Sequence, residues 1–280
     1  MHVRPAAVAG TWYPGSRGAL TREVDAHLAA VPDPLPFDIQ GLIAPHAGIM
    51  FSGPVAAYAY KAAAAAAPYD VVALVGPSHF SAFEGVAVFP GRAFETPLGL
   101  SAIDADGVSA VAISPVVHTL AAPHAREHSL EMQLPFLSRA LPDVPIVPML
   151  MGFQRRETIL GLADVLATAF AGRRVLLVAS TDLSHYFDAG TATSLDQRVQ
   201  TRVAALDAEG LLDLVESYPE HERGQFVACG AGPAIAVLMA ARTLGATGGR
   251  ILKYAHSGEI SGDMSGVVGY LAAAMGKPPS

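Results

Sequence analysis

The chain has 280 residues, 51% of them hydrophobic and 15% charged, enough to bury a large core in a globular protein. Its formal net charge of -7, with no Lys/Arg cluster, excludes nucleic acid and anionic membranes as expected partners, because phosphate-rich surfaces call for a basic patch. A single cysteine, Cys229, rules out an intrachain disulfide, and no charged stretch followed by an apolar run is seen at the start, so a cytoplasmic location is expected.

In chain order, Ser16 is placed to cap a helix in which Leu20, Val24, Leu28 and Val31 recur at three- and four-residue spacing. The Pro-rich piece VPDPLPFD at 31–38 is too near the N-terminus to divide two cores, and no other linker is visible, which predicts one domain over 1–280. A strand at 39–44 leads to the alanine-rich GPVAAYAYKAAAAAA at 53–67, helical by propensity, and then to a strand at 70–75, a β-α-β unit. EGVAVFP at 84–90 alternates like a strand near a sheet edge, and a polar, irregular middle follows. SLEMQLPFLSRAL at 129–141 reads as a helix, PIVPMLMG at 145–152 as a strand, 156–171 as a helix and RVLLVAS as a strand. Helices at about 191–208 and 226–243 precede two closing strands, RILKYAHS and GVVGYLAAA. The apolar run at 226–241, broken by Gly and Pro, is shorter than the roughly 18 residues of a membrane span and is expected to be a buried helix. Near-continuous Val/Ile/Leu strands alternating with helices predict an α/β fold, a three-layer α-β-α sandwich around a mostly parallel sheet.

Such sheets bind ligands beyond the carboxyl ends of their strands, and three apolar strands here end in histidine: IQGLIAPHAG in His46, VVALVGPSHF in His79 and RVLLVASTDLSHY in His185. His46 and His79, expected on adjacent strand ends, are either two ligands of a facial metal site or two hydrogen-bonded strand ends. Cys229, in VACGAGPAI before an apolar helix, is either a thiolate at a helix N-terminus or a small buried hydrophobe. Asp182 and His185, three apart, suit a supporting carboxylate and a proton-transfer base, or else a turn cap and a solvated ring. His128 and Glu131, three apart near a helix start, are either an acid/base pair or, as favoured here, part of a helix start with Ser129 as the N-cap and Glu131 as an acid favouring the dipole. His118, His124, His221 and His256 have no comparable context, and His2 and His27 look like surface residues. GPSHF is not a nucleophile elbow, and no Walker loop, Rossmann fingerprint or Cys-rich zinc spacing is present.

The ordered set GTWYPGS, APHAG with FSG, GPSHF, EHSLEMQLPF, STDLSHY and ACG resembles the Memo family, whose prokaryotic members are called AmmeMemoRadiSam system protein B. The resemblance spans about 5–270 and implies a fold similar to class III extradiol dioxygenases. It implies metal ligands at His46, His79 and Cys229, with Asp182 and His185 lining the same pocket. Fe(II) is the metal it favours, with copper second; zinc fits the donors but not redox chemistry. A thiol stands where the dioxygenases use a carboxylate, and thiolate donates more strongly, alters the iron potential and is itself oxidisable. The resemblance thus implies an oxidoreductase acting on a small molecule or peptide in the cleft. It also admits an adaptor, since animal relatives are known to bind phosphotyrosine peptides, and a link to AMMECR-domain and radical SAM proteins.

Overall fold

The computed structural model describes residues 2–278. Its strands are β1 (Val3–Arg4), β2 (Asp38–Ala44), β3 (Val71–Pro77), β4 (Val86–Val88), β5 (Ala93–Thr96), β6 (Gly99–Ala102), β7 (Val117–Thr119), β8 (Ile146–Met151), β9 (Val175–Ser180), β10 (His185–Phe187), β11 (Gly248–His256) and β12 (Val267–Lys277). Nine of them form one sheet in the order β10-β12-β2-β9-β3-β8-β4-β7, with β11 on β12, while β1, β5 and β6 form a small separate sheet. The centre, β2-β9-β3-β8, is parallel. The flanks turn antiparallel at β12 and β4.

Alternation along the strands sorts the core into two layers. Leu42, Val72, Leu74, Leu176 and Val178 pack with the helices Arg17–Ala30, Ile49–Ala66 and Leu134–Ala140. Ile43, Val71, Ala73, Val75, Leu177 and Ala179 pack with Arg156–Ala169, Ala208–Glu216 and Ala231–Thr243. This is the expected α-β-α sandwich, its parallel pairing made by the central β2-β9-β3-β8 run and by the outer pair β4-β7. Among the described residues no single helix is long and apolar enough to cross a membrane; the 226–241 run is broken, and its helical part from Ala231 is buried.

Several expected elements move at their ends. Ser16 does cap the first helix, accepting from the Ala19 N–H. The second helix begins at Ile49 rather than 53, which carries Met50 and Phe51 onto the helix. Residues 191–208 prove to be the helix Ala189–Ala204, and a further helix, Ala208–Glu216, follows a left-handed turn at Leu206. The stretch 129–141 opens as a 3-10 turn, Glu131–Gln133, so that Pro135 falls in the first turn of Leu134–Ala140, where its missing N–H costs nothing. Ser129 is not an N-cap: its hydroxyl donates to the Pro77 carbonyl.

Candidate metal centre

β2 and β3 are not neighbours, contrary to the expectation for His46 and His79, because β9 lies between them. That correction matters chemically, since β9 ends at Ser180 and leads into Thr181 and Asp182, and Ser180 and Asp182 both contact His46. The His46 backbone N–H donates to Asp182 Oδ1 at 2.8 Å, and its Nδ1 lies 2.9 Å from Ser180 Oγ. The Ser180 hydroxyl spends its one proton on the Ser129 carbonyl at 2.6 Å and accepts from Gln133 Nε2 at 2.7 Å. His46 Nδ1 is therefore the donor to Ser180, and in the neutral ring the lone pair is left on Nε2. Nε2 lies 3.2 Å from the Cys229 sulfur.

His79 reaches the same tautomer by a different route. Its Nδ1 lies 2.9 Å from Glu127 Oε1 and its backbone N–H donates to Glu127 Oε2 at 2.6 Å. A carboxylate can only accept, so Nδ1 carries a proton and Nε2 is the nitrogen that would serve a metal once its own proton is lost. Cys229 comes from a third segment, in the bend before the helix Ala231–Thr243, and its sulfur accepts from the Asp182 N–H at 3.4 Å. Gln154 holds this bend from behind, donating to the Cys229 carbonyl and accepting from the Gly232 N–H, both at 2.7 Å. One ligand-type atom from each of His46, His79 and Cys229 falls within 4.8 Å of the others.

These three residues, with Asp182, His185 and His128, line a cavity of about 780 Å³ whose remaining walls include Trp12, Met50, Phe51, Tyr186 and Val268. Burial raises the Asp182 carboxyl to about 7, against the opposing pull of the N–H groups of His46 and Ala47. Burial lowers His185, and it lowers His46 well below the usual imidazole range, reinforced by the charge of His79. At His79 burial acts in the same direction, but hydrogen bonding to Cys229 and Glu127 and their charges outweigh it and raise the ring to about 10.

The family model described as Memo-like protein matches residues 4–274 of this sequence. The chain belongs to the Memo family. It is 36% identical to a MEMO1 family protein of Methanopyrus kandleri, over 96% of this chain and 97% of that one. A MEMO1 family protein of Methanothermobacter thermautotrophicus is 35% identical, over 96% and 98% of the two chains, and one of Nitrosopumilus maritimus is 32% identical over the same shares. Among solved structures, an uncharacterized protein of Escherichia coli K12 superposes with a TM-score of 0.57 at 15% identity, covering 85% of this chain and 100% of that one, a likeness of fold alone.

The Memo chain thus brings all five expected site residues to one cavity, and adds residues that the sequence did not single out. Glu127 is the foremost: it is buried and also accepts from the N–H groups of His128 and Ser129, both at 2.9 Å. Burial opposes its charge, yet the bond and charge of His79 and these backbone donors hold its carboxyl at about 2. His79, Glu127 and His128 also cluster closely, but three donors already saturate Glu127 Oε1, so this group supports the His79 ring. Glu131 is no helix-dipole acid. It accepts from the side chains of Arg4 and Tyr13 and from the N–H groups of Ala7 and Val8, pinning the N-terminal segment. Arg4, fully buried, also donates to the Glu127 and His124 carbonyls. His124 is buried rather than without context, its Nε2 3.1 Å from the Ala87 carbonyl. His27 is not a free surface ring either, for it packs against Gly53 so closely that a Cβ there would meet Nε2 at 2.8 Å.

Proposed function

We propose that this Memo-family protein is a non-heme metal oxidoreductase whose ferrous iron is held by His46, His79 and Cys229, with a small-molecule substrate in the adjoining cavity. The convergence of two imidazoles, each with Nδ1 committed to a protein partner, and one thiol from three separate segments carries this reading. The donor set fits iron, and copper would satisfy the same nitrogen and sulfur atoms. Iron bound there would supply one-electron redox chemistry to the substrate. The residues around it handle position and protons. Asp182, with a carboxyl near 7, exchanges a proton close to neutrality, while His185, kept neutral by burial, accepts one from a group in the cavity.

Elemental mass spectrometry on protein purified without oxygen, beside His79→Ala and Cys229→Ala variants checked for folding, tests the site. Near-stoichiometric iron or copper in the parent and its loss in both variants is the expected result. Equal trace metal in all three rejects it. A second reading, an adaptor that receives a peptide in the cavity, is favoured by exposed apolar side chains at and beside its rim: Met50, Phe80 and Tyr186. Partner binding that survives loss of the metal ligands would select the adaptor.

A further inference from the structure

Three non-glycine residues among those described have positive φ: Asp143 at 65°, Leu206 at 54° and Tyr186 at 65°. Asp143 and Leu206 lie just after the helices Leu134–Ala140 and Ala189–Ala204, where a left-handed residue commonly terminates a helix. Tyr186 has no such excuse. It sits inside β10, where the pairing with β12 slips, His185 opposite Val268 and Phe187 opposite Val267, leaving Tyr186 as the extra residue of a bulge. A bulky aromatic in the left-handed region is strained, and both bulges and strain concentrate where a side chain is being aimed at a function.

The aim is visible. Phe187 turns to Phe226, 4.8 Å between ring centroids, and His185 lines the cavity. Tyr186 also lines the cavity, yet its side chain is 73% exposed, and its ring meets His185 edge-on at 5.7 Å. Burial therefore does not explain the ring, since little of its surface is removed from water. Its hydroxyl donates no hydrogen bond among the described residues. What the ring offers is a flat apolar face on the wall of a cavity that also contains Trp12.

We propose that Tyr186 is a ligand-contacting, specificity-determining residue of this cavity, its strained backbone holding an open aromatic face against flat ligand groups such as an aromatic ring. The inference concerns the wall and not the metal, so it stands apart from the iron reading.

Trp12 is the chain's one tryptophan and borders the same cavity, which provides a metal-free readout. Metal-free protein is titrated with 4-nitrophenol, following quenching of Trp12 fluorescence, in the parent, Tyr186→Asn and Tyr186→Phe, with thermal midpoints measured in parallel. Asn tolerates left-handed backbone. The expected result for Tyr186→Asn is an affinity lowered about three- to tenfold, as for loss of one aromatic contact, with a midpoint equal to the parent's or raised by about 2 °C. Tyr186→Phe keeps the flat face and the strain, and should match the parent in both. Parent-like affinity in Tyr186→Asn overturns the proposal, as does a parent that does not bind the probe. A midpoint that falls together with affinity assigns the ring a structural role and overturns it too.

Discussion

His46 and His79 present the same nitrogen to the same cavity from opposite settings. His46 is buried and its Nδ1 is tied to Ser180, a neutral hydroxyl whose own bonds run on to Gln133 and, through it, to Tyr60. His79 is partly open, and its Nδ1 is tied to the ionised Glu127. Both partners fix the Nδ1 proton, but of the two only the carboxylate also stabilises the imidazolium, adding to the pull of Cys229 on that ring. One ring is held towards its neutral, ligating form by burial, whereas the other holds a proton that an incoming metal must displace. A pair built this way separates two tasks: the neutral side sets geometry, and the charged side couples occupancy to pH.

The charged side also depends on distant chain, and that dependence gives the largest expected effect. Arg4 joins the Glu127 carbonyl to the Glu131 carboxylate. Arg4→Ala leaves Glu131 buried without its cation and should cost about 3–5 kcal/mol of stability, read by urea unfolding; a loss under about 1 kcal/mol would show that the anchor is dispensable. Glu127→Gln acts next. It removes the charge beside His79 while keeping the shape, and above about pH 10, where the parent ring has no proton left to displace, it should weaken metal binding about 10–100-fold in competition with a chelator. The same substitution should bring the His79 titration, followed by NMR, down from about 10, the part of the rise that comes from Cys229 remaining.

The two sides were unequally legible in the sequence. Apolar strands stopping at His46 and His79, and the DLSH step from Asp182 to His185, are local patterns, and the expectation placed all of them at strand ends. Glu127 left no such mark, because its partner is 48 residues away and the segment bearing it has little regular structure. Arg4 is 127 residues from Glu131, and a two-residue strand has no readable period. The assumption that β2 and β3 were adjacent failed for a related reason. Chain order places them next to each other, while the later β9 inserts between them and supplies the Ser180 and Asp182 contacts. Alanine propensity marked the second helix only from 53, and its first turn, Ile49–Ser52, lacks that signal, so the helix begins earlier and runs through Gly53 and Pro54.

The effect of pH sharpens the comparison further. In the metal-free protein the folded pKa of His79 is raised, so its contribution to stability is complete below 6.5 and is lost as pH rises through about 10. Glu127 has a depressed pKa, so its contribution is complete above 4.5 and is lost as pH falls through about 2. Metal binding runs against the His79 proton. Affinity should therefore climb between pH 7 and 10, by about tenfold per unit for one proton displaced, and Glu127→Gln should end that climb at a lower pH. A parent and variant with identical slopes would mean that His79 is already neutral.

The smallest effect belongs to the neutral side. Ser180→Ala deletes the acceptor for His46 Nδ1–H but leaves no charge stranded, so metal affinity should fall only about three- to tenfold, near one neutral hydrogen bond. The more telling readout is the ring itself. Nitrogen-15 NMR of the metal-free parent should show His46 protonated on Nδ1 alone, because the Ser180 proton is committed to Ser129. In Ser180→Ala a population protonated on Nε2 should appear, with that nitrogen facing the thiol at 3.2 Å in the parent geometry. If the Nδ1 tautomer persists unmixed, the Cys229 sulfur and not the hydroxyl chain selects it. The neutral half of the site would then be organised from the cavity side, as the charged half is organised from the protein side.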